Sequence, residues 1–210
     1  MKKLQVALDV FDEATTLSVL EQVGEYVDII EIGTPLCLSQ GMSIVRKVKA
    51  LYPDKIVFAD CKIMDGGGVI SQLAFEAGAD MVSVLAASNM ETIETTIETA
   101  RKYGRKVLVD MCAVKDMEGR AKEIAPLGPD YICCHVGYDI QATGVDPVEE
   151  LRRLECVDTP KAIAGGIKLE TFAQALDSSA EDIIVGGGLY NHENMGEIAK
   201  KMHQMIVEKG

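Results

Sequence analysis

Eight short runs rich in Val, Ile and Leu recur along the chain, separated by longer segments of mixed polarity, and that rhythm leaves few ways to fold. The runs are Leu4–Val10, Val27–Gly33, Ile56–Ile63, Met81–Ala86, Lys106–Met111, Tyr131–Gly137, Lys161–Ile167 and Asp182–Leu189. Each is too short for a helix. Most are apolar at nearly every position, as a parallel strand covered on both faces requires. The segments between them carry helical spacing. Val19, Leu20 and Val23 share one face, and Ile44, Val45, Val48 and Leu51 share another. Ile93, Ile97 and Ala100 form a stripe between Thr92 and Tyr103, as do Ile198, Met202, Met205 and Ile206 between Glu193 and Glu208. Gly24, Pro53, Gly78 and Gly104 stand where four of these helices should stop. Eight strands alternating with eight helices over 210 residues predict an α/β protein: a (β/α)₈ TIM barrel with a closed, parallel, eight-stranded sheet. An open doubly wound sheet would carry a Gly-x-Gly-x-x-Gly turn after its first strand, where Asp9-Val10-Phe11-Asp12 stands. With no Pro- or Ser-rich linker, residues 1–210 read as one domain.

The formal net charge of −12 argues against a nucleic-acid backbone or an anionic membrane as partner, since both reward Lys and Arg. A small phosphorylated ligand stays compatible, because backbone N–H groups hold phosphate without basic side chains. The six Cys form no Cys-x-x-Cys pair and no zinc spacing. Buried reduced thiols in a reducing compartment are the expectation. Met1-Lys2-Lys3 leads into an apolar stretch that Asp9 cuts short, too brief for a signal peptide or a membrane span, so a cytoplasmic location is expected.

In such a barrel, functional groups gather at the C-terminal ends of the strands, and polar residues crowd there. Asp9 closes the first strand, Glu31 nears the end of the second, Asp60 and Lys62 end the third, Asp110 the fifth and His135 the sixth. Carboxylates in apolar strands are costly unless paired or metal-bound. Strand alternation puts Asp60 and Lys62 on one face and Cys61 on the other, with Asp65 just beyond and Gly66-Gly67-Gly68 turning the chain. This acid–amine–acid line reads either as a charged Lys62 held ready to stabilise an oxyanion or relay a proton, or as a structural salt-bridge ladder. Glu31 and Asp60, on neighbouring strands, suit a Mg²⁺ ion, or Glu31 simply pairs with Lys62. His135 reads as a proton shuttle or as a satisfied core histidine. Asp110 reads as a partner for substrate hydroxyls or Lys62, or as one more rim acid.

Gly165-Gly166 after the seventh strand and Gly186-Gly187-Gly188 after the eighth stand where many barrels bind phosphate through backbone N–H groups. Tight turns alone are the alternative.

With these residues laid out, the chain resembles the orotidine 5′-monophosphate decarboxylase suprafamily, and within it the 3-hexulose-6-phosphate synthase family, over essentially its whole length. Asp60-x-Lys62-x-x-Asp65 marks the suprafamily. Leu108–Met111, His135–Gly144 and Ala162–Thr171 mark the synthases. The resemblance implies a (β/α)₈ homodimer that condenses formaldehyde with D-ribulose 5-phosphate, reversibly, in a Mg²⁺-dependent aldol reaction through an enediolate. By the same resemblance Glu31 and Asp60 bind the metal and Lys62 supports the enediolate. Asp65 reaches the neighbouring subunit's site, and His135 handles protons. The sister family, 3-keto-L-gulonate 6-phosphate decarboxylase, carries an Arg where Tyr138 stands and a Glu-Leu-Thr-Gly run where Asp110-Met111-Cys112-Ala113 stands. It has a further Arg where Gly188-Leu189 stands, so these departures favour the synthase. A non-catalytic sugar-phosphate-binding barrel is the remaining alternative. Gly66 replaces a customary Ala, which suggests a looser loop after Asp65.

Overall fold

The computed structural model describes residues 2–209; Met1, which opens the N-terminal run read above, and Gly210 lie outside the described residues. Eight parallel strands, β1 (Lys3–Leu8), β2 (Ile29–Ile32), β3 (Ile56–Ile63), β4 (Met81–Leu85), β5 (Lys106–Asp110), β6 (Tyr131–His135), β7 (Lys161–Ala164) and β8 (Asp182–Val185), pair in chain order. β8 then pairs with β1 and closes the barrel. Most strands stop before the ends of the apolar runs. The trailing residues, such as Val136 and Ile167, stay buried in the turns of the rim instead.

Around the sheet lie α1 (Glu13–Val23), α2 (Thr34–Gln40), α3 (Met42–Leu51), α4 (Gly67–Glu76), α5 (Met90–Tyr103), α6 (Met117–Ile124), α7 (Pro147–Leu151), α8 (Leu169–Asp177), α9 (Gly187–Tyr190) and α10 (Met195–Lys209). These outnumber the eight expected. Gly41, at φ 62°, splits the second connection into α2 and α3, and α9 is a single turn after β8. Asp12 caps α1 by accepting from the Thr15 backbone N–H at 2.8 Å. Gly104 ends α5 in the left-handed region, as a C-terminal glycine should. Gly24 follows α1 but keeps helical dihedrals, and packing is what requires glycine there. Its φ is −59°, but a Cβ there would lie 2.9 Å from the Tyr52 ring.

The sheet separates two apolar layers. Inward side chains, among them Ala7, Ile29, Phe58, Met81, Leu108 and Ile184, fill the cylinder. Outward ones, such as Val6, Leu8, Ile30 and Ile32, join the helix stripes of Val19, Leu20, Ile44 and Val48 in one continuous shell. Each fully buried aliphatic side chain contributes about 1.5–3 kcal/mol. Cys37, Cys133 and Cys134 are buried as expected, but Cys61 and Cys112 are only half-buried and Cys156 is exposed; all six are free thiols. Among the described residues no helix is long and apolar enough to cross a membrane.

Candidate active site

The C-terminal mouth of the barrel is built by residues that continue the inward face of each strand. In β1 the series Gln5, Ala7 leads to Asp9; in β2 Ile29 leads to Glu31; in β3 Phe58 leads to Asp60; in β5 Leu108 leads to Asp110; in β6 Cys133 leads to His135. Closure of the sheet brings these ends together.

β3 departs from regular alternation. Ala59 faces Val82 and Ile63 faces Val84, so β3 carries two residues more than β4 over this stretch, and Lys62 takes φ 41°. A non-glycine residue in that region is strained and persists only where its surroundings hold it. Ser83 of β4 provides the hold. Its hydroxyl accepts from the Lys62 backbone N–H at 2.8 Å and donates to Asp60 Oδ1 at 2.6 Å. The bulge keeps Lys62 beside Asp60, with Nζ 2.8 Å from Oδ2. Thr34, at the start of α2, donates to the same carboxylate oxygen at 2.8 Å.

The second acid on Lys62 is Asp110, 3.3 Å away, not Asp65. Asp65 lies exposed on the loop between β3 and α4, and among the described residues it joins no ion pair within this chain; the expected acid–amine–acid line runs Asp60–Lys62–Asp110 instead. The loop after it is built for close packing. Gly66 takes a left-handed φ of 65°, and Gly67 presses so near Thr92 and Thr96 of α5 that no Cβ fits. Asp110 also takes a hydrogen bond from His135 Nδ1 at 2.8 Å and one from the Cys112 backbone N–H at 2.8 Å.

Electrostatics follow from this packing. Burial would lower the Lys62 pKa, but Asp60, Asp110 and Glu31 outweigh it and hold the ammonium charged. Burial likewise opposes the charged form of His135, yet Asp110 raises its pKa. Burial works to lift Asp110, but His135 and Lys62 bring it below the ordinary value. Glu31, buried and bonded to Gln5 Nε2 at 2.6 Å, is pushed well up by burial and by the charges of Asp60 and Asp9. Asp9 reaches solvent, but crowding by protein and the Asp60 charge raise it too. Four carboxyls crowd one ammonium and one imidazole at the mouth, and burial together with that crowding is what raises Glu31 and Asp9. Glu31 and Asp60 offer oxygen donors there, which fits a hard divalent cation.

The glycine turns belong to the same mouth. Gly165 and Gly166 have φ of 106° and 69°. Gly165 abuts the Val136 carbonyl beside His135, Gly188 sits against the Ile167 carbonyl and Lys168, and Gly186 backs onto Ala7 and Asp9. The two turns thus meet where Gly188 packs against Ile167 and Lys168.

Sequence reasoning missed Gln5, Thr34, Ser83 and Tyr190. Burial and the Asp9 charge raise the Tyr190 phenol to about 12. A polar residue at an inward position of an apolar strand was the available signal for Ser83, in Met-Val-Ser-Val-Leu, and for Gln5.

Comparison with known proteins gives one consistent set. The family model for the orotidine 5′-phosphate decarboxylase / HUMPS family matches residues 2–202. The chain is 44% identical over 208 residues to the 3-hexulose-6-phosphate synthase of Bacillus subtilis (strain 168), covering 98% of this chain and 99% of that one. Its fold superposes on the crystal structure of 3-hexulose-6-phosphate synthase from Salmonella typhimurium with TM-score 0.96 at 36% identity, covering 99% and 100% of the two chains. It superposes on 3-keto-L-gulonate-6-phosphate decarboxylase from Vibrio cholerae with TM-score 0.87 at 29% identity, covering 99% of each.

Proposed function

The chain belongs to the orotidine 5′-phosphate decarboxylase / HUMPS family, and from that premise we propose that it is a 3-hexulose-6-phosphate synthase. It joins formaldehyde to D-ribulose 5-phosphate to give D-arabino-hex-3-ulose 6-phosphate, reversibly. The observation that carries this reading is the Asp60–Lys62–Asp110–His135 chain: a fixed ammonium next to a histidine whose Nδ1 is engaged.

Glu31 and Asp60 would hold Mg²⁺. When bound, the ion supplies Lewis-acid polarisation of the ketose and relieves the repulsion between the crowded carboxylates. The glycine turns at Gly165, Gly166, Gly187 and Gly188 hold the substrate phosphate through backbone N–H groups. With Nδ1 bonded to Asp110, His135 has Nε2 left to take the C1 proton of ribulose 5-phosphate. The electron pair left at C1 is delocalised as an enediolate, whose oxygen Lys62 stabilises. C1 then attacks the formaldehyde carbon, and the resulting alkoxide regains a proton from His135. Asp9, with its raised pKa, binds a substrate hydroxyl.

The same enediolate support would serve a decarboxylase, so two assays decide. The expected result is formaldehyde-dependent consumption of ribulose 5-phosphate, abolished by EDTA and restored by Mg²⁺. Faster CO₂ release from 3-keto-L-gulonate 6-phosphate would reverse the assignment, and undiminished activity after thorough chelation would remove the metal. A barrel that only binds sugar phosphates would turn over neither substrate.

The protein acts as a cytoplasmic homodimer. Met64, Val69 and Leu73, beside Asp65 and along α4, are each more than half exposed, which supports a covered face there. The free thiols support a reducing compartment.

A further inference from the structure

Cys112 is used by no step above, yet it stands at the edge of the site. We infer that Asp110, Cys112 and His135 form a second metal site, of softer character than the Glu31–Asp60 pair, which takes Zn²⁺ and arrests the enzyme when filled. One ligand atom from each of the three lies within 4.8 Å of the other two. Carboxylate oxygen, imidazole nitrogen and thiolate sulfur bind zinc at about 2.0–2.3 Å, so small side-chain rotations bring all three onto one tetrahedral ion. Mg²⁺ favours oxygen alone, whereas sulfur and nitrogen select zinc-like ions, so the two sites discriminate by ligand chemistry.

The local backbone leaves the thiol room. A Cβ on Gly137 would lie 3.0 Å from Cys112 Sγ, so glycine keeps that side open. Ala113 follows at φ 63°. Cys112 is half-buried and His135 keeps part of its surface exposed, so an ion reaches both from the mouth. Binding releases the thiol proton to solvent. It also takes Asp110 and His135 from their present bonds, and Lys62 keeps only Asp60. Zinc binding stands apart from the proposed reaction; the arrest rests on that reading.

The test is Co²⁺ added to the intact protein. A thiolate-to-cobalt charge-transfer band is expected in the near ultraviolet and is lost in Cys112→Ser, while Mg²⁺-dependent turnover of the variant stays at its basal level. Zn²⁺ should inhibit the unsubstituted protein in excess Mg²⁺, and the variant should resist it by more than about tenfold. Cys112→Ala, which adds no polar atom, is the second variant should the serine perturb folding. Absence of the band, or a band undiminished in both variants, overturns the site. The absorption needs no turnover, so it is decided separately from the aldol assay.

Discussion

Asp182 lies away from the mouth, at the start of β8, and its protonation ties the fold to pH. It faces the lower end of the cylinder on β8, fully buried, and neither carboxylate oxygen has a hydrogen-bond partner among the described residues. Burial raises its pKa from 3.8 to about 8, with Lys3 opposing and Asp28 adding. The folded state therefore keeps a proton that the unfolded chain releases above about pH 4. Stability falls as pH rises from about 4 to about 8 and levels off beyond, by roughly 6 kcal/mol at most. Asp182→Asn should flatten that decline, measured as the urea midpoint at a series of pH values; an unchanged slope would show that Asp182 does not carry it. His135 gives the opposite kind of test. Asp110 raises its pKa, so the neutral imidazole that the proposed reaction needs forms only above the ordinary value of about 6.5. Turnover should climb with pH through that raised pKa, and Asp110→Asn should move the acid limb to lower pH as well as reduce the rate.

At the scale of the element, β3 matters most. Its start was legible because Ile56–Ala59 is apolar throughout and follows Pro53-Asp54, and its end because Gly66-Gly67-Gly68 comes soon after. Alternation correctly put Asp60 and Lys62 together, but it could not show the bulge, because the two extra residues depend on how β4 pairs with β3. Ser83 is the residue of β4 that makes the bulge tenable. Ser83→Ala removes bonds to both Asp60 and the Lys62 N–H and leaves a buried carboxylate oxygen short of a donor. We expect a stability loss of about 1–3 kcal/mol by denaturant unfolding. Turnover should fall by up to about 100-fold as Lys62 moves from its position, with circular dichroism unchanged. Near-normal turnover would mean that the strand holds its shape without the hydroxyl. The glycine turns after β7 and β8 behave differently, since their spacing was readable but their contact was not. Gly188 touches Ile167 and Lys168 only because adjacent strands deliver both turns to one place.

For the whole molecule, closure of the sheet does what no local pattern reveals. Lys62 and Asp110 are 48 residues apart and meet because β3 and β5 end at the same mouth, whereas Asp65, three residues from Lys62, is carried away into an exposed loop. Nearness in sequence misled for Asp65, whereas the reading of Asp110 as a partner for Lys62, drawn from its place at a strand end, holds at 3.3 Å. An aspartate so placed, bordered by exposed Met64 and the Val69 and Leu73 side chains of α4, suits a site completed by another copy of the chain. Mixing separately inactive Lys62→Ala and Asp65→Asn subunits tests this, after unfolding and refolding them together. If Asp65 serves the partner's mouth, each mixed dimer has one site with both residues intact and one with neither. Equal mixing should then restore about a quarter of normal turnover, since about half the dimers are mixed and half of their sites are whole. If Asp65 serves its own mouth, every site in the mixed dimer lacks one residue and turnover stays at the level of the separate variants. Co-purification of untagged Asp65→Asn subunits with a tagged Lys62→Ala subunit, showing that mixed dimers formed, ensures that a failure to recover reflects the position of Asp65 rather than a failure to associate.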